Sequence, residues 1–319
     1  MLILNQENFK IPRVANDVSR LENLAGAELA IALAEIAQNY VGVLVVVVPD
    51  FATALRLEQE LSLFSLNIVH FPDWETLPYD NLSPHQDIIS QRLLALHNLP
   101  MLDKGILIIP ISTLMHKVCP KTYIDQTTFV LTTGQNLNLI EMRLRLESCG
   151  YKYNSQVMEH GEFCVRGSIL DIYPMGATNP YRLDLFDDEI ETIRIFDPET
   201  QRSVEIVKEI RILPAREYPL TDDSITDFRN SWRDRFAGDP RLCPLYQDVS
   251  QGIQAQGLEY YLPLFFTQTV TLFDFLPAQH LIVQVGNLER AAGDLWTQIQ
   301  ERYDQYGHDI TRPLLSPMW

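Results

Sequence analysis

The sequence predicts an α/β protein built on a parallel sheet and interrupted by an α+β insert. Three observations carry this. The run Gly42-Val43-Leu44-Val45-Val46-Val47-Val48-Pro49 is apolar on both alternating faces, as a strand buried between two layers must be. Helix-period segments flank it. After Cys119-Pro120 the pattern breaks into short alternating runs separated by turn residues, which is the texture of antiparallel strands.

The elements follow in order. From Ala27 to Tyr40 the residues Leu29, Leu33, Ile36 and Tyr40 recur at helical spacing ahead of the first strand. Phe51 to Phe64 is helical, Asn67 to Phe71 is a short strand, Ser83-Pro84 opens a helix to about His97, and Gly105 to Pro110 is a second apolar strand. Strands alternating with helices require right-handed crossovers and hence a parallel sheet. In the insert, a helix over Leu137 to Cys149 ends at Gly150. Strands are expected at Tyr151–Met158, Glu162–Arg166, Ser168–Tyr173, Arg182–Phe186, Glu191–Phe196 and Val204–Leu213. Thr221-Asp222-Asp223-Ser224 offers N-caps for a helix to about Phe236, and Leu245 to Gln256 reads as another. Apolar strands are expected at Thr269–Phe275 and Leu281–Val285, and a long polar helix at Leu288 to about Tyr306.

The chain has 319 residues, 46% hydrophobic and 21% charged with 14 Gly and 19 Pro, the balance of a folded protein with room for two or three domains. Lys plus Arg number 25 against 42 for Asp plus Glu. The resulting net charge of −17 repels phosphate backbones, so nonspecific binding to DNA by this chain is not expected. Four dispersed cysteines with no CxxC pair indicate neither a zinc site nor a disulfide framework, and a reduced, cytoplasmic protein is the simple expectation. No apolar run reaches membrane-spanning length, and MLILNQENFK lacks the features of a signal peptide. Arg312 to Pro317 reads as an outgoing linker, from which the natural sequence is expected to continue.

Enzyme motifs are absent. Where a phosphate loop would stand, at Gly26-Ala27-Glu28-Leu29-Ala30, there is neither a lysine for phosphate charge nor a hydroxyl for Mg²⁺, and Glu28 would point a carboxylate at the anion. No HExxH or GxSxG occurs. Asp187-Asp188-Glu189 could be taken for a metal or acid–base cluster, but its setting between apolar strands makes it a hairpin turn. Phe71-Pro72-Asp73-Trp74-Glu75-Thr76-Leu77-Pro78-Tyr79-Asp80 has aromatics among acids, not the basic setting of a base-stacking surface.

Arg182-Leu183-Asp184-Leu185-Phe186 is different. Its period of two puts Leu183 and Leu185 on one face and Arg182, Asp184 and Phe186 on the other. If the leucines face the core, Phe186 beside Arg182 is either a partner surface or a residue covered by a neighbouring helix. In the first case, truncating Arg182 or Phe186 should leave the fold intact.

Taken together, several blocks resemble the N-terminal region of the bacterial transcription-repair coupling factor family. They are Phe71 to Asp80, Ser83-Pro84-His85-Gln86-Asp87-Ile88-Ile89-Ser90, Gly161-Glu162-Phe163-Cys164-Val165-Arg166-Gly167, Asp187 to Glu191, and Gly257-Leu258-Glu259-Tyr260-Tyr261-Leu262-Pro263-Leu264-Phe265-Phe266. The resemblance covers nearly the whole chain. It implies a fold similar to the repair protein UvrB, with a RecA-like domain 1a over 1–121 completed by strands within 269–319. An α+β domain 2 would cover 122–213, and a smaller, mainly helical domain 1b would cover 214–319. It further implies a nucleotide site lost at both halves, Gly26, Glu28, Leu29 and Ala30 at one and Val285 and Gly286 at the other. No cofactor is therefore expected, and ATP binding should be lost. Domain 2 would bind UvrA through Arg166, Arg182 and Phe186. RNA polymerase and duplex DNA would be contacted only by C-terminal domains beyond this chain, and the chain would be a monomeric, non-catalytic recruiting module. The alternative is a nucleotide-hydrolysing or DNA-clamping module like UvrB itself.

Overall fold

The computed structural model describes residues 11–12, 17–24 and 26–317. Residues 1–10, read above for a signal sequence, and Ala25 lie outside the described residues. The protein is a mixed α/β fold with one parallel and two further sheets, and it divides into two compact units.

The first unit contains α1 (Ala27–Asn39), β1 (Val43–Val48), α2 (Phe51–Leu61) and β2 (Ile68–His70). The chain returns to it, after α3 (Gln86–Asn98), with β3 (Gly105–Pro110) and α4 (Ile111–Leu114). Much later it supplies one more strand, His280–Gln284, which pairs in parallel with β1. The four strands form one all-parallel sheet with β1 and β3 at its centre, buried along their whole length. Leu33 and Ile36 from α1, Leu57 and Leu61 from α2, and Leu44, Val46, Ile106 and Ile108 from the strands make one core cluster. Asp50 starts α2 by accepting a hydrogen bond from the Thr53 N–H at 2.7 Å.

In the second unit α5 (Lys121–Thr127) and β4 (Phe129–Thr132) precede α6 (Leu139–Ser148), which Asn138 caps with bonds to the N–H groups of Ile140 and Glu141. A six-stranded sheet follows, built from β5 (Lys152–Tyr153), β6 (Glu162–Arg166), β7 (Ile169–Ile172), β8 (Tyr181–Phe186), β9 (Glu189–Phe196) and β10 (Ser203–Val207) in that spatial order. It is antiparallel except for the β5–β6 pair. The β8–β9 hairpin turns at Asp187 and Asp188, with φ of 52° at Asp187 in the left-handed region that Asp tolerates, and Glu189 begins β9. The expected strand Val204–Leu213 is two strands. After β10 the chain passes Lys208 and enters β11 (Glu209–Ile212), which pairs with β4 in a separate two-stranded sheet.

The helical part comprises α7 (Asp222–Arg235) and α8 (Pro244–Ser250), and a Thr221–Ser224 capping box opens α7. The helix expected to reach Gln256 stops six residues earlier. Gly252 adopts φ 74°, its N–H bonds to Val249 O, and Ile253 N–H bonds to Asp248 O, which is a Schellman closure. The expected strand at Thr269–Phe275 is also absent. Asp274 accepts from the Thr271 N–H and Oγ1, tightening Leu272–Phe275 into a 3-10 turn, and only Val270 bridges, to Val118. The strand His280–Gln284 is β12, and α9 (Leu288–Tyr306) follows.

An aromatic cluster fills this helical part. Trp232 stacks on Tyr261 at 5.7 Å, Phe228 on Phe265 at 4.9 Å, and Phe265 on Tyr218 at 5.2 Å. Polar pairs, one buried and one at the surface, tie α3 to later segments. Arg92 Nε donates to Glu217 Oε1 at 2.5 Å with both groups out of water. His160 bridges Asp87 at 2.7 Å and the Ala177 carbonyl at 2.8 Å.

Glu259 is buried and accepts from Ser83 Oγ at 2.7 Å. Burial pushes its carboxyl from the ordinary 4.5 up to about 7. Between those values the folded chain holds a proton that the unfolded chain has released, so this group's contribution to stability is full below about 4.5 and is lost as pH rises through 7. Glu259→Gln should therefore match the unaltered chain near pH 4.5 and gain on it with rising pH, by up to about 3 kcal/mol above pH 7. Urea unfolding across that range checks this, and parallel pH profiles would refute it.

A candidate protein-interaction surface

The six-stranded sheet has one face that is open over part of its area. Residues directly opposed in an antiparallel ladder share a face. The registers Cys164↔Asp171, Asp171↔Arg182 and Arg182↔Arg194 therefore set these four in one cross-strand row. The adjacent row carries Arg166, Ile169, Asp184 and Thr192. Leu170, Leu183 and Ile193 point the opposite way and are fully buried, which fixes the register.

Asp171 organises this face. Its residue is only 1% exposed, yet both carboxylate oxygens are occupied. Arg182 donates Nε to Oδ1 at 2.7 Å and Nη2 to Oδ2 at 2.9 Å, a bidentate fork, and Arg166 Nη2 donates to Oδ2 as well. Arg182 also donates Nη1 to the Gln201 carbonyl, and its guanidinium lies 4.9 Å from the centre of the Phe196 ring. Hydrogen bonding to Asp171 raises the Arg182 pKa above its ordinary value, while burial acts the other way. Two guanidinium groups thus share one buried carboxylate. The excess positive charge is carried outward by Arg166, whose side chain is 49% exposed, whereas that of Arg182 is 17% exposed.

Phe186 lies four residues beyond Arg182 on β8 and is 70% exposed, with no helix over it. At the opposite end the face is closed. Val157, Cys164 and Phe196 form a small core with Tyr173 packed against it, and burial raises the Cys164 thiol pKa.

The structure brings Arg166 and Arg182 together on Asp171 and places Phe186 on the same face. Asp171 itself carried a signal that was not used: it is the only charged residue in the apolar run Ile169-Leu170-Asp171-Ile172. The residues expected to mark a lost nucleotide site lie in the other unit. Gly26 precedes α1 with φ 54°, Glu28 is exposed in its first turn, Leu29 packs on the sheet core and Ala30 is buried. At the end of β12, Val285 donates its N–H to Val47 O at 2.9 Å and packs on the same core, and Gly286 turns with φ 71°. Among the described residues there is no cluster of three or more metal-ligating side chains and no helix long and apolar enough to cross a membrane.

One correction to the alternation follows. Arg182 and Phe186 share a face but not a role. Truncating Arg182 removes the fork and leaves Oδ1 of a buried carboxylate without its arginine, with Arg166 alone on Oδ2, whereas Phe186 is mostly exposed. Arg182→Ala should cost on the order of 3 kcal/mol, Phe186→Ala less than about 0.5 kcal/mol and Arg166→Ala about 1 kcal/mol or less. Urea midpoints of the three variants measure this, and equal midpoints for Arg182→Ala and Phe186→Ala would show that Asp171 does not depend on its fork.

Comparison with known proteins places this surface in context. Residues 129–218 match the family model described as the UvrB interaction domain. The chain is 44% identical over 314 residues to a transcription-repair-coupling factor of Escherichia coli, covering 98% of this chain and 27% of that protein. It is 46% identical over 310 residues to one from Haemophilus influenzae, covering 96% and 27%, and 34% identical over 226 residues to one from Rickettsia prowazekii, covering 70% and 20%. The chain therefore spans about a quarter of the length of the first two relatives. Along almost its whole length the chain belongs to the transcription-repair-coupling factor family, matching about a quarter of those proteins, and its residues 129–218 match the UvrB interaction domain.

Proposed function

We propose that this chain is a non-catalytic recruiting module that binds UvrA and so links transcription to nucleotide excision repair. The observation that carries the proposal is the Asp171-anchored arginine pair with exposed Phe186 inside the UvrB interaction domain. Aromatic and arginine side chains are the residues enriched at binding hot spots. Arg166 and Phe186 are available to a partner, and Arg182 is held in place beneath them. The match to transcription-repair-coupling factors supports the coupling role, and a cytoplasmic, monomeric chain belongs to the same proposal. Contacts to RNA polymerase and duplex DNA are assigned to the part of the relatives that this chain does not span.

The finer architecture belongs to the same proposal: a RecA-like sheet whose nucleotide site is degenerate, the UvrA-binding domain inserted in it, and a smaller helical domain. Glu28 in the first turn of α1 already supplies negative charge at the helix N-terminus, where a phosphate would otherwise be held, and Leu29 and Val285 are taken up by the core. A UvrB-like nucleotide hydrolase is disfavoured by those residues, and a DNA clamp by the short acidic segment between Phe71 and Gln91.

Two measurements test the proposal. Purified UvrA should be retained by the immobilised chain, and Phe186→Ala and Arg166→Ala should each weaken association at least tenfold, as hot-spot truncations do, while keeping the unfolding midpoint near that of the parent. An absence of association with UvrA would overturn it. Calorimetry with ATP and Mg²⁺ should show no saturable binding at micromolar nucleotide, and a binding isotherm there would refute the loss of the site.

A further inference from the structure

Specific protein interfaces cover about 800 Å² on each partner, roughly 20–30 residues a side. Arg166, Arg182 and Phe186 supply far less than that, so the surface has to continue. Among the described residues it cannot continue past Cys164 and Phe196, because Val157 and Tyr173 close that end and the Asp197–Gln201 turn lies over it, with Gln201 donating to the Val157 and Pro198 carbonyls. Across the strands the face stays open. Arg194 on β9, opposite Arg182, is 41% exposed and held only by a 3.6 Å ion pair to Asp184. Beyond it the register Arg194↔Ile206 sets Ile206 on the same face, and Ile206 is 67% exposed on β10, the last strand of the sheet.

Resting on the UvrA reading of this face, we propose that the partner surface runs across β9 onto the edge strand β10, with Arg194 and Ile206 as specificity-determining contacts. Four residues along a strand and two strand spacings separate Phe186 from Ile206, roughly 16 Å across the sheet. On this face three arginines, Arg166, Arg182 and Arg194, are paired with Asp171 and Asp184, and Glu189 stands opposite Phe186, in a chain whose net charge is −17. The matching segment of UvrA is one that sets an acidic side chain against Arg194 and apolar side chains against Phe186 and Ile206. An exposed pair at 3.6 Å is weak, so Arg194 can exchange Asp184 for a partner carboxylate at little cost.

Calorimetric titration of UvrA with the chain and its variants tests the extension. Ile206→Ser and Arg194→Ala should each weaken binding about tenfold, and Arg194→Ala should also reduce the salt dependence of the dissociation constant. Ile140→Ser, equally exposed but on α6, should bind as the unaltered chain does. Unfolding midpoints establish that each variant is folded, and Ile206→Ala replaces Ile206→Ser if the latter is not. Unchanged binding by the Ile206 and Arg194 variants, with Phe186→Ala still impaired, would overturn the extension alone. Unchanged binding by Phe186→Ala too would overturn the UvrA reading of the face.

Discussion

A buried carboxylate between two guanidinium groups is the constraint on which the candidate surface depends. Asp171 lies in the middle of β7, an interior strand, where its charge is removed from water. An unpaired carboxylate there would cost several kcal/mol. The fork from Arg182 and the further bond from Arg166 meet that cost, and they do so only if β6, β7 and β8 pair in one register. A slip by one residue would bury the arginines and expose Leu170 and Leu183. The ion cluster and the apolar face thus specify the same pairing from opposite sides of the sheet.

The cluster also explains how a surface can be ready to bind. A free arginine loses rotamer entropy when a partner captures it, at a cost of about 0.5–1.5 kcal/mol for each immobilised side chain. Arg182 has been ordered during folding instead, by Asp171 and the Phe196 ring. Because two positive groups share one negative group, the cluster is not neutral, and the remaining charge sits on the more exposed arginine. Phe186, at the open end of β8, adds apolar area that the chain leaves exposed. Rigid charge beside an exposed ring is suited to recognition.

How much of this could be read from the sequence depended on whether the signal was local. The burial of β1, the hairpin at Asp187 and the alternation of β8 rest on neighbouring residues and were all readable. The sharing of Asp171 was not, because it depends on strand register, which joins residues by pairing and not by spacing. Arg182 accordingly read as an outward residue equivalent to Phe186, when it is an anchor. The same limit explains Val204–Leu213. Nothing in its alternation tells that Lys208 sends the two halves to different sheets. The misread helix and strand ends have a different cause, since Gly252 and Asp274 terminate or tighten the backbone through hydrogen bonds that periodicity does not register.

On the proposed reading, the parallel sheet of the first unit is a fold that has outlasted a chemistry. The stability of such a sheet comes from residues such as Leu33, Leu44, Val46 and Ile106, none of which would touch a nucleotide. A phosphate loop, by contrast, uses backbone N–H groups, a lysine and a hydroxyl at a helix start, and removing them costs the core nothing. Glu28 is compatible with the helix dipole at its position, and Leu29 adds apolar contact at the next. Under the proposed function the sheet persists as a scaffold while recognition is assigned to a separate set of residues on the six-stranded sheet, those around Asp171.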